Sequence, residues 1–485
     1  MKLSRRQFLM LSAATAGGAA LAYHPQSRLT GQVSRFPLSQ TIADPVMSRD
    51  GLLERTLTAQ SARLSLDNGV MIETLAYNGV AVGDWLEVRP GDTLRLTLDN
   101  RLDEATNLHF HGLHIPPTGT GDDVFHHVPP DERYTYEFQL APDHPATLAY
   151  YHPHKHGSVA RQIFGGLGGA IIVRGELDEI PEIRAAREEL VILKDFDRDF
   201  RRSPQGQEHL RGRHGEFLTV NGQQKPRWTL PQNGLLRLRL LNASTARYYN
   251  LAIKGHPLYL IGTDGGAIEQ PVEMESIALA PGERADVLVK GDREPGTYPL
   301  LDRRAATSGM GHGMMMMWHG RGRGGMEANR EPQVLATIDY GPPVEPLDLP
   351  TQLTTIPPLL DPATTHRISL GHGMGQGAMV FLLNGQSFDP NRVDIRTKLG
   401  QVEDWEIVNG GMTAHPFHIH VNNFQVIERN GQPEPFRAWK DTVNLNPGDI
   451  VRLRTRYEDF SGKSVFHCHI LDHEDMGMMG ILSIT

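Results

Sequence analysis

Cysteine is all but absent from this chain: 485 residues hold one, Cys468. A single thiol cannot close an internal disulfide, so it is inert core, a free thiol or a metal ligand. Basic excess is absent too. The formal net charge of −9 leaves no strong positive surface for phosphates, which argues against nucleic-acid binding and fits ordinary solubility. Beyond residue 22 no apolar run could cross a bilayer, so no membrane span is expected in the mature chain. Glycine and proline are plentiful instead, 50 and 33 residues. Both are costly inside helices and frequent in turns, which points to a β-rich chain of roughly two to four domains.

The N-terminal "SRRQFLM" sets Arg5 and Arg6 before an apolar run from Phe8 to Ala22. That run is short and broken by Ser, Thr and Gly, and "ALA" at Ala20 to Ala22 offers a cleavage site. The arginine pair resembles the signal of the bacterial pathway that exports already folded, often cofactor-loaded proteins. Residues 1–22 are therefore expected to be a twin-arginine signal peptide, and the mature protein periplasmic.

Similar strings recur three times. "AYNGV", "LTVNGQ" and "FLLNGQ" (Asn78, Asn221, Asn384) precede "VRPGDTLRLTLDN", "LPQNGLLRLRLLN" and "TKLGQVEDWEIVN". Each of these alternates apolar and polar residues, the period of a strand with one buried face. A Pro/Gly turn then feeds a second alternating strand in "VPPDERYTYEF", "APGERADVLVK" and "NPGDIVRLRTR". The repetition predicts an all-β chain of three related β-sandwich domains, over 45–175, 188–342 and 362–485. The charged segment after Val173 and the Pro-rich "GPPVEPLDLPTQLTTIPPLLDP" are the candidate linkers.

Ten of the 23 histidines fall into four groups: "HFHG" (His109, His111), "YYHPHKHG" (His152, His154), "HPFHIH" (His415, His418, His420) and "HCHILDH" (His467, His469, His473). In a strand, residues i and i+2 share a face. Extended H-x-H strings would thus aim eight imidazoles in pairs, enough for three metals and too many for one. Cys468 points away from its two neighbours, and His415 has the parity to join it. With His473 and Met478 this makes a thiolate, two imidazoles and a thioether, the ligands of a blue-copper electron-transfer site. Structural zinc does not account for eight further paired imidazoles.

These motifs, closing with "HCHILDHEDMGMM", resemble the four copper-binding motifs of the three-domain multicopper oxidases, which include laccases and bacterial copper-efflux oxidases. The resemblance covers essentially the whole mature chain. It implies three cupredoxin-like Greek-key domains, the trinuclear site lying between the first and third, and four copper ions: one type 1, one type 2 and two type 3. It assigns His415, Cys468, His473 and Met478 to type 1, and His109 and His418 to type 2. The type 3 pair is divided between His111, His152 and His469 on one ion and His154, His420 and His467 on the other; alternation alone gives only the shared face. The implied reaction is one-electron oxidation of a small substrate coupled to four-electron reduction of O2 to water, by a monomer. Some exported proteins of this fold lack much of the ligand set and serve cell division without copper, whereas every expected ligand is present here.

Protons need carriers, and by the same resemblance Asp122 or Asp123, in "TGTGDDVFHH", and Glu474 are the candidates. The reductant is read from "SGMGHGMMMMWHGRGRGGM", residues 308–326, where Met310, Met314, Met315, Met316 and Met317 offer thioethers suited to Cu(I). A shorter "GHGMGQGAM" carries Met374 and Met379. Copper-efflux oxidases place their methionine-rich insert in the third domain, whereas the larger cluster here sits late in the second. Cu(I) is the expected substrate, with a laccase-like oxidase of phenols or Mn(II) as the alternative. His114, His126, His127 and His156 are assigned no metal.

Overall fold

The computed structural model describes residues 44–66, 69–303, 331–375 and 378–485. The expected signal peptide and the methionine-rich segment lie outside them, as do Met310 and Met314 to Met317. The three Asn-Gly pairs open three copies of one arrangement. Asn78, Asn221 and Asn384 have φ of 52, 57 and 52°, and each following glycine lies at 75 to 76°. Two successive left-handed residues are what a two-residue hairpin turn with the twist of its strands requires. Each asparagine also clamps the neighbouring strand. Its amide donates to the carbonyl of Thr56, Leu190 or Arg367, and its carbonyl accepts from Thr58, Ile192 or Ser369.

From these turns the same ladder grows three times. Leu52–Ser65 lies parallel to Thr93–Asn100, which pairs antiparallel with Arg133–Gln139. The middle repeat uses Arg187–Phe196, Leu235–Asn242 and Arg284–Lys290. The third uses Thr364–Gly375, Val402–Asn409 and Ile450–Arg456. A second sheet faces each ladder, giving six sheets among the described residues. Alternation places Leu94, Leu96 and Leu98 in the first core and Val451 and Leu453 in the third. The architecture is three cupredoxin-type sandwiches, as expected. No helix among the described residues is long and apolar enough to cross a membrane.

The middle repeat departs from the one-sided reading. Every residue of Leu235–Asn242 is buried, so both faces of the strand are covered. The charged segment read as a linker supplies the cover. It folds into the short helices Glu176–Glu179 and Pro181–Ala185, whose Leu177 and Ile183 enter the middle core. Arg237 and Arg239 are buried there among Asp178, Glu188 and Asp286, with Arg237 2.6 Å from both aspartates. Buried charge is tolerated only when paired in this way.

His109, His111, His152, His415, His418 and His467 sit on corresponding sheets of the outer sandwiches, while His154, His420 and His469 follow the ends of those strands. His109–His111 is the edge strand beside Thr147–His152, with His109 opposite His152. In the third sandwich His415–Ile419 pairs with Gly462–Cys468, setting His418 opposite His467 and Phe417 opposite Cys468.

Candidate metal centres

Alternation along Gly462–Cys468 separates the thiol from its neighbours. Cys468 Sγ lies 3.4 Å from His415 Nδ1 and 3.7 Å from His473 Nδ1, and the two nitrogens are 3.2 Å apart. All three residues are fully buried. His473 arrives on the short helix Leu471–Asp475, and its Nε2–H donates to the Leu210 carbonyl at 3.1 Å, leaving Nδ1 for a metal. Met478 is buried in the same core cluster, and its carbonyl accepts the Cys468 amide at 3.1 Å. Burial, then His372, lowers His415 to about 3. Burial, then His415, holds His473 well below its ordinary value, and burial pushes the Cys468 thiol up.

The other eight imidazoles converge between the first and third sandwiches, and each is almost wholly buried. Two stacked pairs cross the interface: His109 on His420, centroids 3.6 Å apart, and His111 on His418, 3.9 Å apart. The Nε2 atoms of His154 and His420 each lie 3.1 Å from Nε2 of His467. His111 and His152 stand 5.0 and 5.6 Å from His469, centroid to centroid. Four rings are anchored through one nitrogen while the other has no hydrogen-bond partner. His109 Nδ1 meets Asp122, His111 Nε2 meets Asp441, His152 Nδ1 meets the Pro153 carbonyl and His418 Nδ1 meets the Asp441 carbonyl. The unpartnered atoms are His109 Nε2, His111 Nδ1, His152 Nε2 and His418 Nε2. Buried polar atoms are rarely orphaned, and a bound cation would satisfy these nitrogens. Burial, then the other imidazoles, keeps His109, His154, His420, His467 and His469 well below their ordinary pKa, the neutral form a metal takes.

Carboxylates frame the cluster. Asp122 is buried, 2.8 Å from His109 Nδ1 and 3.2 Å from His420 Nδ1, and accepts the Phe110 amide. Asp123 turns away and caps the Phe125 amide at 3.1 Å. Glu474 is fully buried, Oε2 3.2 Å from His467 Nδ1 and Oε1 3.6 Å from His154 Nε2, and neither oxygen accepts a hydrogen bond. Burial raises both Asp122 and Glu474 well above the carboxylate range.

Asp441 escaped the sequence reading. Its Oδ1 is 2.8 Å from His111 Nε2, and Arg284 of the middle sandwich donates to both its oxygens at 2.7 and 2.6 Å. Burial would raise Asp441, but Arg284 and then His111 outweigh it and hold it ionised. Nothing near "WKDTV" marks it; the only available signal was the arginine of "APGERADVLV". A cavity of about 650 Å³, lined by Asp123, His127, His154, His156 and Phe388 among others, reaches the cluster at His154.

Models of the family described as multicopper oxidase match residues 58–178, 195–315 and 358–485, one on each sandwich. The chain belongs to the multicopper oxidase family. This multicopper oxidase is 29% identical over 456 residues to multicopper oxidase mco of Staphylococcus aureus, spanning 92% of this chain and 91% of the relative. It is 31% identical over 462 residues to cell division protein FtsP of Escherichia coli K12, spanning 91% and 90%. The solved multicopper oxidase of Campylobacter jejuni, described as a metallo-oxidase, superimposes with a TM-score of 0.78 at 32% identity, over 92% of this chain and 95% of that one. The family makes this chain an oxidoreductase and copper its metal. The donors fit copper: a thiol, two imidazoles and a neighbouring thioether in one set, eight imidazoles in the other.

Proposed function

We propose that this oxidase couples one-electron oxidation of a small reductant, Cu(I) foremost, to four-electron reduction of O2 to water. His415, Cys468, His473 and Met478 would hold type 1 copper, and His109 and His418 type 2. His111, His152 and His469 would hold one type 3 ion, and His154, His420 and His467 the other. Bound copper supplies one-electron acceptance in the first set and dioxygen reduction in the second. The observation that carries the reading is the position of Cys468. Its sulfur belongs to one donor set while the residues on either side, His467 and His469, belong to the other.

The protein's own groups divide the remaining work. Glu474, whose carboxyl burial shifts toward the protonated form, is placed to carry a proton beside His467 and His154, and Asp122 is placed likewise beside His109 and His420. Asp441 stays ionised against Arg284 and orients His111. The cavity at His154 offers a route between the cluster and solvent.

Cu(I) is favoured by soft donors near His415. The Gly410 amide donates to the Leu370 carbonyl, so the loop of Met412 and the strand of His372 and Met374 leave the sheet at one end. Met374 and Met412 are 73% and 60% exposed, and a Cβ at Gly411 would stand 3.3 Å from His415 Nε2. The metallo-oxidase among the structural relatives supports a metal reductant. The arginine pair and the cleavage site support export to the periplasm. Oxygen uptake compared across Cu(I), Mn(II), a phenol and a diamine, with and without added Cu(II), is the test. Fastest turnover on Cu(I) is expected. Faster turnover on the phenol or Mn(II) would transfer the assignment to a laccase-like oxidase.

A further inference from the structure

The helix Leu471–Asp475 is five residues long, and four of them reach different parts of the molecule. Asp472 faces the middle sandwich, where Arg213 donates to it through its amide at 2.8 Å and its guanidinium at 2.9 Å. His473 joins Cys468, and Glu474 lies between His467 and His154. Asp475 turns to the first sandwich. Its carboxylate accepts the amides of Gly157, Ala160 and Val159 at 2.7, 2.9 and 3.3 Å. Those amides belong to the turn directly after His154 and to the start of the helix Val159–Gly165. The side chain before Val159 forms no cap, because Ser158 bonds back to the Lys155 carbonyl. A residue some 315 positions away in sequence caps the helix instead.

We propose that Asp475 is a positioning residue that fixes the His152–His154 segment against His467 and Glu474, and that Asp472 with Arg213 does the same for His473. This rests on the copper assignment above. Each aspartate fixes one ligand set from a different sandwich, so the helix sets the spacing of both. Three amides on one carboxylate make the tie directional: an amide at residue 475 would turn its NH2 against at least one of them.

The test uses the full-length, copper-reconstituted protein with Asp475→Asn and Asp472→Asn. Asp475→Asn is expected to keep the intense visible band of the Cys468 site while losing copper from the imidazole cluster, read as copper per chain and as the near-ultraviolet band of the coupled pair. In the copper-free protein the amides of Gly157 to Ala160 should exchange at least about fivefold faster. Asp472→Asn should shift the visible band and leave the near-ultraviolet band in place. Should Asp475→Asn not fold, Asp475→Glu keeps the charge and displaces the turn by one methylene, with the same selective loss at smaller amplitude. Parallel loss of both bands, or two unchanged bands, in whichever Asp475 variant folds overturns the positioning role. Failure of the copper assignment itself is distinct: the wild type would then show no visible band, while the exchange difference would persist.

Discussion

At the scale of single residues, Cys468 joins the two donor sets, and replacing its sulfur should separate them. Cys468→Ser is expected to abolish the visible absorption of the copper-loaded protein while the eight-imidazole cluster still retains copper, measured by absorption and metal content. Glu474 offers a different test. Its oxygens accept no hydrogen bond and burial favours its neutral form, so an amide should fit in its place. Glu474→Gln should leave the melting temperature nearly unchanged and slow oxygen reduction by about a hundredfold, the usual cost of losing a placed proton donor. A matching fall in stability would make the carboxyl structural. The histidines were legible because period-two alternation carries them in pairs, and the cysteine because it is alone. Asp441 was not, since its partner His111 lies 330 residues away and nothing local distinguishes it. Alternation likewise could not choose between Asp122 and Asp123; the Phe110 amide, accepted by Asp122, marks the one that faces the cluster.

At the scale of elements, the Asn-Gly turns are the clearest case of sequence specifying backbone. Asn221 combines a φ of 57° with two hydrogen bonds to the neighbouring strand. Asn221→Ala should destabilise the middle sandwich by about 2 kcal/mol, from left-handed strain and lost pairing together, measured by urea unfolding. An unchanged midpoint would mean that the turn follows the fold without helping to set it. Alternation failed as a guide to exposure at Leu235–Asn242, because a leucine-arginine repeat has the same pattern whether its polar face meets water or buried carboxylates. Only the packing of the segment after Val173 distinguishes the two.

At the scale of the whole molecule, the three sandwiches were legible from repetition, but their interlocking was not, because it depends on contacts between distant segments. The buried network shows this. Burial alone would raise Asp178 and Glu188, yet the arginines prevail and lower each to about 2. A folded-state pKa below the unfolded value adds stability that is complete above about pH 4.5 and lost as pH falls toward 2. Arg239→Met should therefore cost about 3 kcal/mol at pH 7 and clearly less at pH 3, by urea unfolding at both; equal losses would place the network's worth elsewhere. Copper should act as a staple between the outer sandwiches, so metal-free protein should melt below the loaded form. Identical melting curves would count against a cluster shared between them.

The cluster's ligands come from the beginning and the end of the described fold, with the middle sandwich between them in the chain. A nearly finished polypeptide paused before Ser464 would hold His109, His111, His152, His154, His415, His418 and His420 but neither Cys468 nor its flanking histidines to complete the sets. The complete donor sets therefore exist only once the C-terminal strand has been made. A truncated copy would emerge colourless, however well its first sandwich had folded.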